Sequence, residues 1–279
     1  MIFKLNIFYK EAILFAAAQL VGIYTALKII SGAEFSGGQR PNNFSNFSFI
    51  DFIIMAVIIF MFIFFSKRGG RAGAIFYKIF LGFALFGGSQ LALQSFMNPT
   101  AAFFVAIGLV FWFLYKNNVI IQNLIMVFAL AGIGAIFGLS LEPTVAVILL
   151  LVFSVYDIIA VYKTGHMIKL AETMIKSKAI FGFVIPSRLH LFKEKVQNVN
   201  PGDDFMILGS GDIIMPIILA SSVLVFSSIQ AYFIAIFSVV GLFITHLLFS
   251  NQKVRRPMAA LPPIAVMSII GYLVSHLFI

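Results

Sequence analysis

The sequence predicts an all-α polytopic membrane protein of nine transmembrane helices, and three observations carry that prediction. The first is composition. Of 279 residues, 61% are hydrophobic and 10% charged, against about 45–50% and about 25% in a soluble domain. With a mean hydropathy of +1.06, the chain cannot cover its surface with polar groups, so lipid must be the solvent on its outer face. The second is the length of the apolar runs, and the third is the distribution of basic residues between them.

A spanning helix needs about 20 mostly apolar residues. Nine such runs are present, at 9–30, 49–66, 74–96, 100–115, 119–140, 143–162, 206–227, 231–250 and 258–278. The first follows a short basic segment but has no small-residue cleavage site, so it reads as a span and not as a signal peptide. The fourth is short. The sixth begins at Pro143, just after Glu142, a residue pair suited to a helix start. Between the sixth and seventh lies a long polar stretch, 163–205, which reads as a cytoplasmic loop with room for a surface helix. The chain therefore divides into spans one to six (1–162), that loop (163–205), and spans seven to nine (206–279), all in one integral membrane domain.

Orientation follows from Lys and Arg. One side of the membrane collects Lys4, Lys10, Lys67, Arg68, Arg71, Lys78 and Lys116. It also takes the seven basic residues of the long loop and Lys253, Arg255 and Arg256, leaving only Lys28 and Arg40 for the other side. The crowded side is cytoplasmic, so the N-terminus is expected inside and the C-terminus outside. Orientation and anionic lipid account for the net charge of +9, and nucleic acid need not be invoked. There are no cysteines, which excludes disulfides and thiolate metal sites.

Of the ten acidic residues, Glu11, Glu34, Asp51, Glu142, Glu172, Glu194, Asp203 and Asp204 fall in predicted loops or near span ends. Asp203-Asp204 reads as a capping pair ahead of span seven. Asp157 and Asp212 differ, because each interrupts an apolar run. A carboxylate there is costly unless protonated, paired or wetted, so it marks a functional site by default. Asp157 lies about five residues before the end of span six and Asp212 about six after the start of span seven. Both are thus roughly 8–9 Å below the cytoplasmic surface at about 1.5 Å per residue. Gly209 and Gly211 remove side chains beside Asp212, letting the neighbouring backbone approach closely, and Tyr156 offers a hydroxyl beside Asp157.

Two carboxyl groups sharing a low-dielectric site do not easily ionise together, which suits them to acid–base hydrolysis of a peptide bond. The same pair also suits a cation channel, a proton-coupled transporter or a structural pairing. Zinc chemistry is not indicated: His166, His190, His246 and His276 are scattered and no His-Glu-x-x-His occurs. No base stands near Ser210 in the sequence, so it reads as a packing residue. Gly132, Gly134 and Gly138 read as helix-packing positions, and Gln90, Gln94, Gln122 and Asn123 as interhelical hydrogen bonders.

Tyr156-Asp157, followed one span later by Gly209-Ser210-Gly211-Asp212, resembles the Tyr-Asp and Gly-x-Gly-Asp signature of the presenilin and signal peptide peptidase family. That family also carries Pro-Ala-Leu at the start of its last span. The nearest match is Ala259-Ala260-Leu261-Pro262 with Pro263 following. Alanine stands where the motif's first proline belongs, and Pro257 lies two residues upstream. The resemblance implies a GxGD-type aspartic endopeptidase that cuts transmembrane helices with Asp157 and Asp212. Tyr156, Gly209 and Gly211 would support it, and Ala260, Leu261 and Pro262 would lie against substrate. It implies no metal or organic cofactor, a location in the cell membrane, and transmembrane proteins or peptides as partners within the bilayer. In orientation the chain is similar to presenilin. Without long hydrophilic extensions it is expected to be a compact microbial or archaeal homologue that needs no accessory subunits. An unwound substrate needs backbone partners in lipid. Pro262 and Pro263 either free carbonyls for it or simply begin a helix.

Overall fold

The computed structural model describes residues 5–32, 70–116, 118–164, 180–199, 204–252 and 258–278. Helix α1 (Leu5–Gly32) is followed by α2 (Gly70–Leu93), α3 (Pro99–Tyr115), α4 (Val119–Ser140) and α5 (Pro143–Ile158). Helix α5 runs on into a π-helical turn at Ile159–Lys163. Two strands come next, β1 (Gly182–Pro186) and β2 (Phe205–Gly209), and then α6 (Ser210–Val223), α7 (Ser228–Ser250) and α8 (Leu261–Ser275). Eight of the nine predicted spans thus coincide with an apolar helix. The other, 49–66, lies outside the described residues.

Among the described residues, five helices are long and apolar enough to cross a membrane: α1, α4, α5 with its π turn, α7, and α8 with the 3-10 turn that ends it. Helices α3 and α6 and the Ile79–Leu93 stretch of α2 are shorter. Local chemistry sets several helix starts. The Asn118 side chain accepts the Ile121 N–H at 3.0 Å to cap α4, and proline sits in the first turn of α3, α5 and α8, where a missing N–H costs nothing.

Helix α4 is the hub. Of its apolar window 72% is buried, against 33% for α5, and it packs on α1, α2 and α6. The expected glycine packing is present. A Cβ on Gly132 would strike the Gly88 carbonyl of α2, and one on Gly138 would come within 2.5 Å of the Ile218 carbonyl of α6. Ile217 of α6 wedges between Gly134 of α4 and Gly22 of α1, where added Cβ atoms would lie 2.7 and 2.5 Å from its Cγ2. Backbones approach this closely in lipid only where side chains are small.

The hairpin corrects the all-α prediction. Strand β1 pairs antiparallel with β2, Gly182 opposite Gly209 and Pro186 opposite Phe205. Residues 206–209, read as the start of span seven, are therefore strand. A short apolar run such as Phe205–Leu208 has no periodicity that separates strand from buried helix. The partner strand lay hidden in the stretch read as a polar loop, yet Phe183, Ile185 and Leu208 belong to the same core cluster as α1, α4 and α6. In the described part of that stretch, residues 180–199, no α-helix occurs.

Gln122 and Asn123 bond to this hairpin and not to a neighbouring helix. Gln122 Nε2 donates to the carbonyls of Ile180 (2.7 Å) and Gly182 (3.3 Å). Asn123 donates to the Val184 carbonyl at 2.7 Å and accepts its N–H at 2.8 Å, imitating a third strand. Gln94 is exposed. Asp204 closes the far end of the hairpin instead of capping a helix. Its carbonyl accepts the Ser187 N–H and its carboxylate the Ser187 hydroxyl; Asp203 lies outside the described residues.

Candidate functional site

Helix α5 buries only Ala146, Leu150, Ser154 and Asp157. Those spacings of four, four and three trace one stripe along a helix, and Asp157 ends it at 6% exposure. Its carboxylate then meets the start of α8. The Leu261 N–H donates to Asp157 Oδ2 at 3.2 Å, and the Ala260 N–H is directed at the same group. The first N–H groups of a helix have no partner within it. Pro262 and Pro263 remove two of them outright, and Leu261 spends its own on Asp157. The prolines lie in the first turn of α8, around the aspartate.

Asp212 is held by its own turn. Gly209 is the N-cap of α6, so Asp212 stands three residues on, where an acid reaches back to the N-cap backbone. The Gly209 N–H is directed at it, and a Cβ on Gly209 would lie 3.1 Å from Asp212 Oδ2. The depth argument therefore needs correction, because Asp212 sits in the first helical turn behind a strand and not six residues into a helix. Gly211 also departs from expectation. Nothing lies within 4 Å of a Cβ placed there, so it admits no neighbouring backbone. It instead lines an apolar cavity of about 230 Å³ with Ser210, Leu85, Met126, Leu130 and Phe181.

Helices α5 and α6 pack together, and α8 packs on both. Asp212 lies within electrostatic range of Asp157 and Glu11. Tyr156 is not brought in: at 51% exposure it faces away from the buried stripe. Around the turn before α8, the Ala260 carbonyl accepts the Thr245 hydroxyl at 3.3 Å. Gly241 of α7 lets that turn approach, since a Cβ there would lie 2.6 Å from Ile264 Cα.

Two groups near the site escaped the sequence reading. Glu11, expected near water at a span end, is 1% exposed, and its Oε2 lies 2.9 Å from Nδ1 of His246, itself 3% exposed. The pair ties α1 to α7. Gln19 of α1, also 1% exposed, donates to the Ile213 carbonyl at 3.1 Å. A signal was available, since Glu11, Phe15, Ala18, Gln19, Gly22 and Ala26 form the buried stripe of α1. Polar residues in register with Ala18, Gly22 and Ala26 belong to a helix–helix interface. Among the described residues, no three His, Asp or Glu side chains form a metal-binding group.

A family model described as signal-peptide peptidase, presenilin aspartyl protease matches residues 12–279. Two solved structures, each of a presenilin family intramembrane aspartate protease, are similar. The one in a P2 crystal shares 25% identity with a TM-score of 0.62 and covers 96% of both chains. The one in a C222 crystal shares 23% identity with a TM-score of 0.60 and covers 94% of both. No curated protein matches the chain.

Proposed function

The chain belongs to the signal-peptide peptidase and presenilin aspartyl protease family, and from that premise we propose that Asp157 and Asp212 together hydrolyse peptide bonds inside transmembrane helices. It is an integral membrane protein of presenilin-like fold. The observation that carries the proposal is convergence. The Pro-Ala-Leu-like turn reaches across to Asp157 through the Leu261 N–H, while Asp212 stands in the next helix within electrostatic range. A carboxylate of the pair draws a proton from water, and the carboxylic acid protonates the scissile carbonyl. The chemistry uses two carboxyl groups and a water and draws on no metal or organic cofactor.

The hairpin supports an extended substrate. Val184 turns its N–H and carbonyl toward Asn123, so the opposite residue, Ile207, turns its own away from β1, as alternation in an antiparallel pair requires. Among the described residues, no backbone hydrogen bond is made from that edge by Phe205 or Ile207. An unwound substrate segment satisfies its backbone there by strand addition, and β2 leads it to Asp212 three residues beyond its end. Ala260, Leu261 and Pro262 flank it on the other side.

We further propose nine spans, with the long segment 163–205 cytoplasmic and Ile279 outside, in the cell membrane. Transmembrane proteins or peptides are the partners, and no accessory subunit is required. Single cysteines placed in this cysteine-free chain test the orientation: those in 163–205 should resist a membrane-impermeant thiol reagent on intact cells.

A cation channel or proton relay built on the same acids makes a different prediction. A peptide mimic carrying a hydroxyl at the scissile position should inhibit a protease dyad and has no reason to bind a relay. We expect the purified chain in vesicles to cut a single-span peptide and to be inhibited by that mimic. Ion flux without cleavage would favour the relay.

A further inference from the structure

Helix α6 has a weakness where it carries Asp212. Pro216 lies inside the helix and has no N–H to give the Asp212 carbonyl, its partner four residues back. The turn bearing the aspartate therefore lacks one of its own hydrogen bonds. One residue on, the Ile213 carbonyl accepts the Gln19 amide of α1 at 3.1 Å. Gln19 is 1% exposed, and among the described residues its Oε1 has no partner. The buried amide thus makes its contact on the donor side, to this turn.

The rest of α1 is fixed around that contact. Less than one turn further along, Gly22 receives Ile217 of α6. Two turns back, Glu11 bonds His246 of α7, and beside it Lys10 Nζ donates to the Pro186 and Ser187 carbonyls at the end of β1. Helix α1 therefore contacts the hairpin, α7 and α6 along its length. The Gln19 bond is the member of this set that reaches the aspartate's own turn.

We propose that Gln19 is a positioning residue for Asp212: from α1 it supplies the support that Pro216 withdraws from the first turn of α6. The inference rests on the reading of Asp212 as a catalytic acid. It goes further by assigning the geometry of that acid to a residue on another helix. Small displacements of a reacting group cost rate far more than binding, so the effect belongs in kcat.

The test uses the full chain in vesicles with a single-span peptide, comparing wild type, Gln19→Leu, Pro216→Ala and the double variant, with Asp212→Asn alongside. Gln19→Leu keeps the volume and removes the donor. It should lower kcat about ten- to hundred-fold with KM within about two-fold. Pro216→Ala restores an N–H to the Asp212 carbonyl, so in that background the Gln19→Leu deficit should shrink to a few-fold. A residue that only glues helices together would lower the melting temperature and leave kcat per folded molecule unchanged in both backgrounds. Full kcat in Gln19→Leu, or an equal deficit with and without Pro216, overturns the inference. If Gln19→Leu does not fold, Gln19→Asn keeps an amide too short to reach Ile213 and should show the same deficit; full activity there overturns it equally. An active Asp212→Asn enzyme would remove the underlying reading, whereas an inactive one beside a fully active Gln19→Leu would remove only the role of Gln19.

Discussion

Helices α5 and α6 each carry one aspartate, but they sit in the protein differently. Only 33% of the apolar window of α5 is buried; most of its surface faces outward, and Asp157 takes its hydrogen bonds from α8. Helix α6 is buried at Ile213 and throughout Met215–Val223, locked by Ile217 between two glycines, and Asp212 faces its own N-cap. One acid is placed by its own turn at the head of a buried helix. The other depends on a distant segment arriving correctly. Overpacking the buried length of α6 should therefore strike stability first, and changes at the start of α8 should strike catalysis while sparing the fold.

The largest effect should come from Gly134→Leu. An added Cβ would already lie 2.7 Å from Ile217, and overpacking a tight core costs about 1–3 kcal/mol or more. We expect a variant about 3 kcal/mol less stable by detergent-phase unfolding, losing activity in proportion to folded protein. A stable Gly134→Leu enzyme would mean that the wedge is not what holds α6.

Ala260→Trp probes the opposite side of the comparison. It should cut cleavage about a hundred-fold, roughly 2.7 kcal/mol in transition-state terms, with the melting point nearly unchanged. The site beside Asp157 must stay open to an unwound strand. If instead melting point and rate fall together, the turn is packing and not a wall of the site.

The hairpin sharpens the distinction within one strand. Ile207→Pro removes an N–H from the open edge, where proline is tolerated, and should lower cleavage about ten-fold with the hairpin intact. Leu208→Pro removes one that faces β1 and should loosen the hairpin itself. Equal loss of stability in both would refute strand addition on β2. The smallest effect is expected at Tyr156, which faces outward: Tyr156→Phe should change the cleavage rate less than two-fold, and a large loss would show that its hydroxyl reaches the site in a substrate-bound state.

Much of this arrangement was legible in the residues. Apolar length located the helices, and Asp157 and Asp212 stood out because a carboxyl group deep in an apolar run demands a reason. The Gly-x-Gly-Asp pattern also has a local meaning visible in retrospect, an N-cap glycine with an acid at the third helical position. What remained hidden depends on pairing across the chain. Phe205–Leu208 reads as strand only once Phe183–Ile185 is set against it, and the 19 residues of 186–204 separate the two segments. Glu11 looked like a boundary residue because it lies near the start of the first apolar run. Only His246, 235 positions away, gives it a reason to be buried. Gln122 and Asn123 announced hydrogen bonds but not that their partner would be a strand edge.

The most direct measurement is cleavage of a single-span peptide in vesicles by three purified proteins: wild type, Asp157→Asn and Asp212→Asn, with the products located by mass. Asparagine keeps the shape of aspartate and cannot exchange the catalytic proton. The account predicts that wild type cuts within the apolar span and that both variants fold and leave the peptide whole. Cleavage by either folded variant at close to the wild-type rate would contradict the dyad.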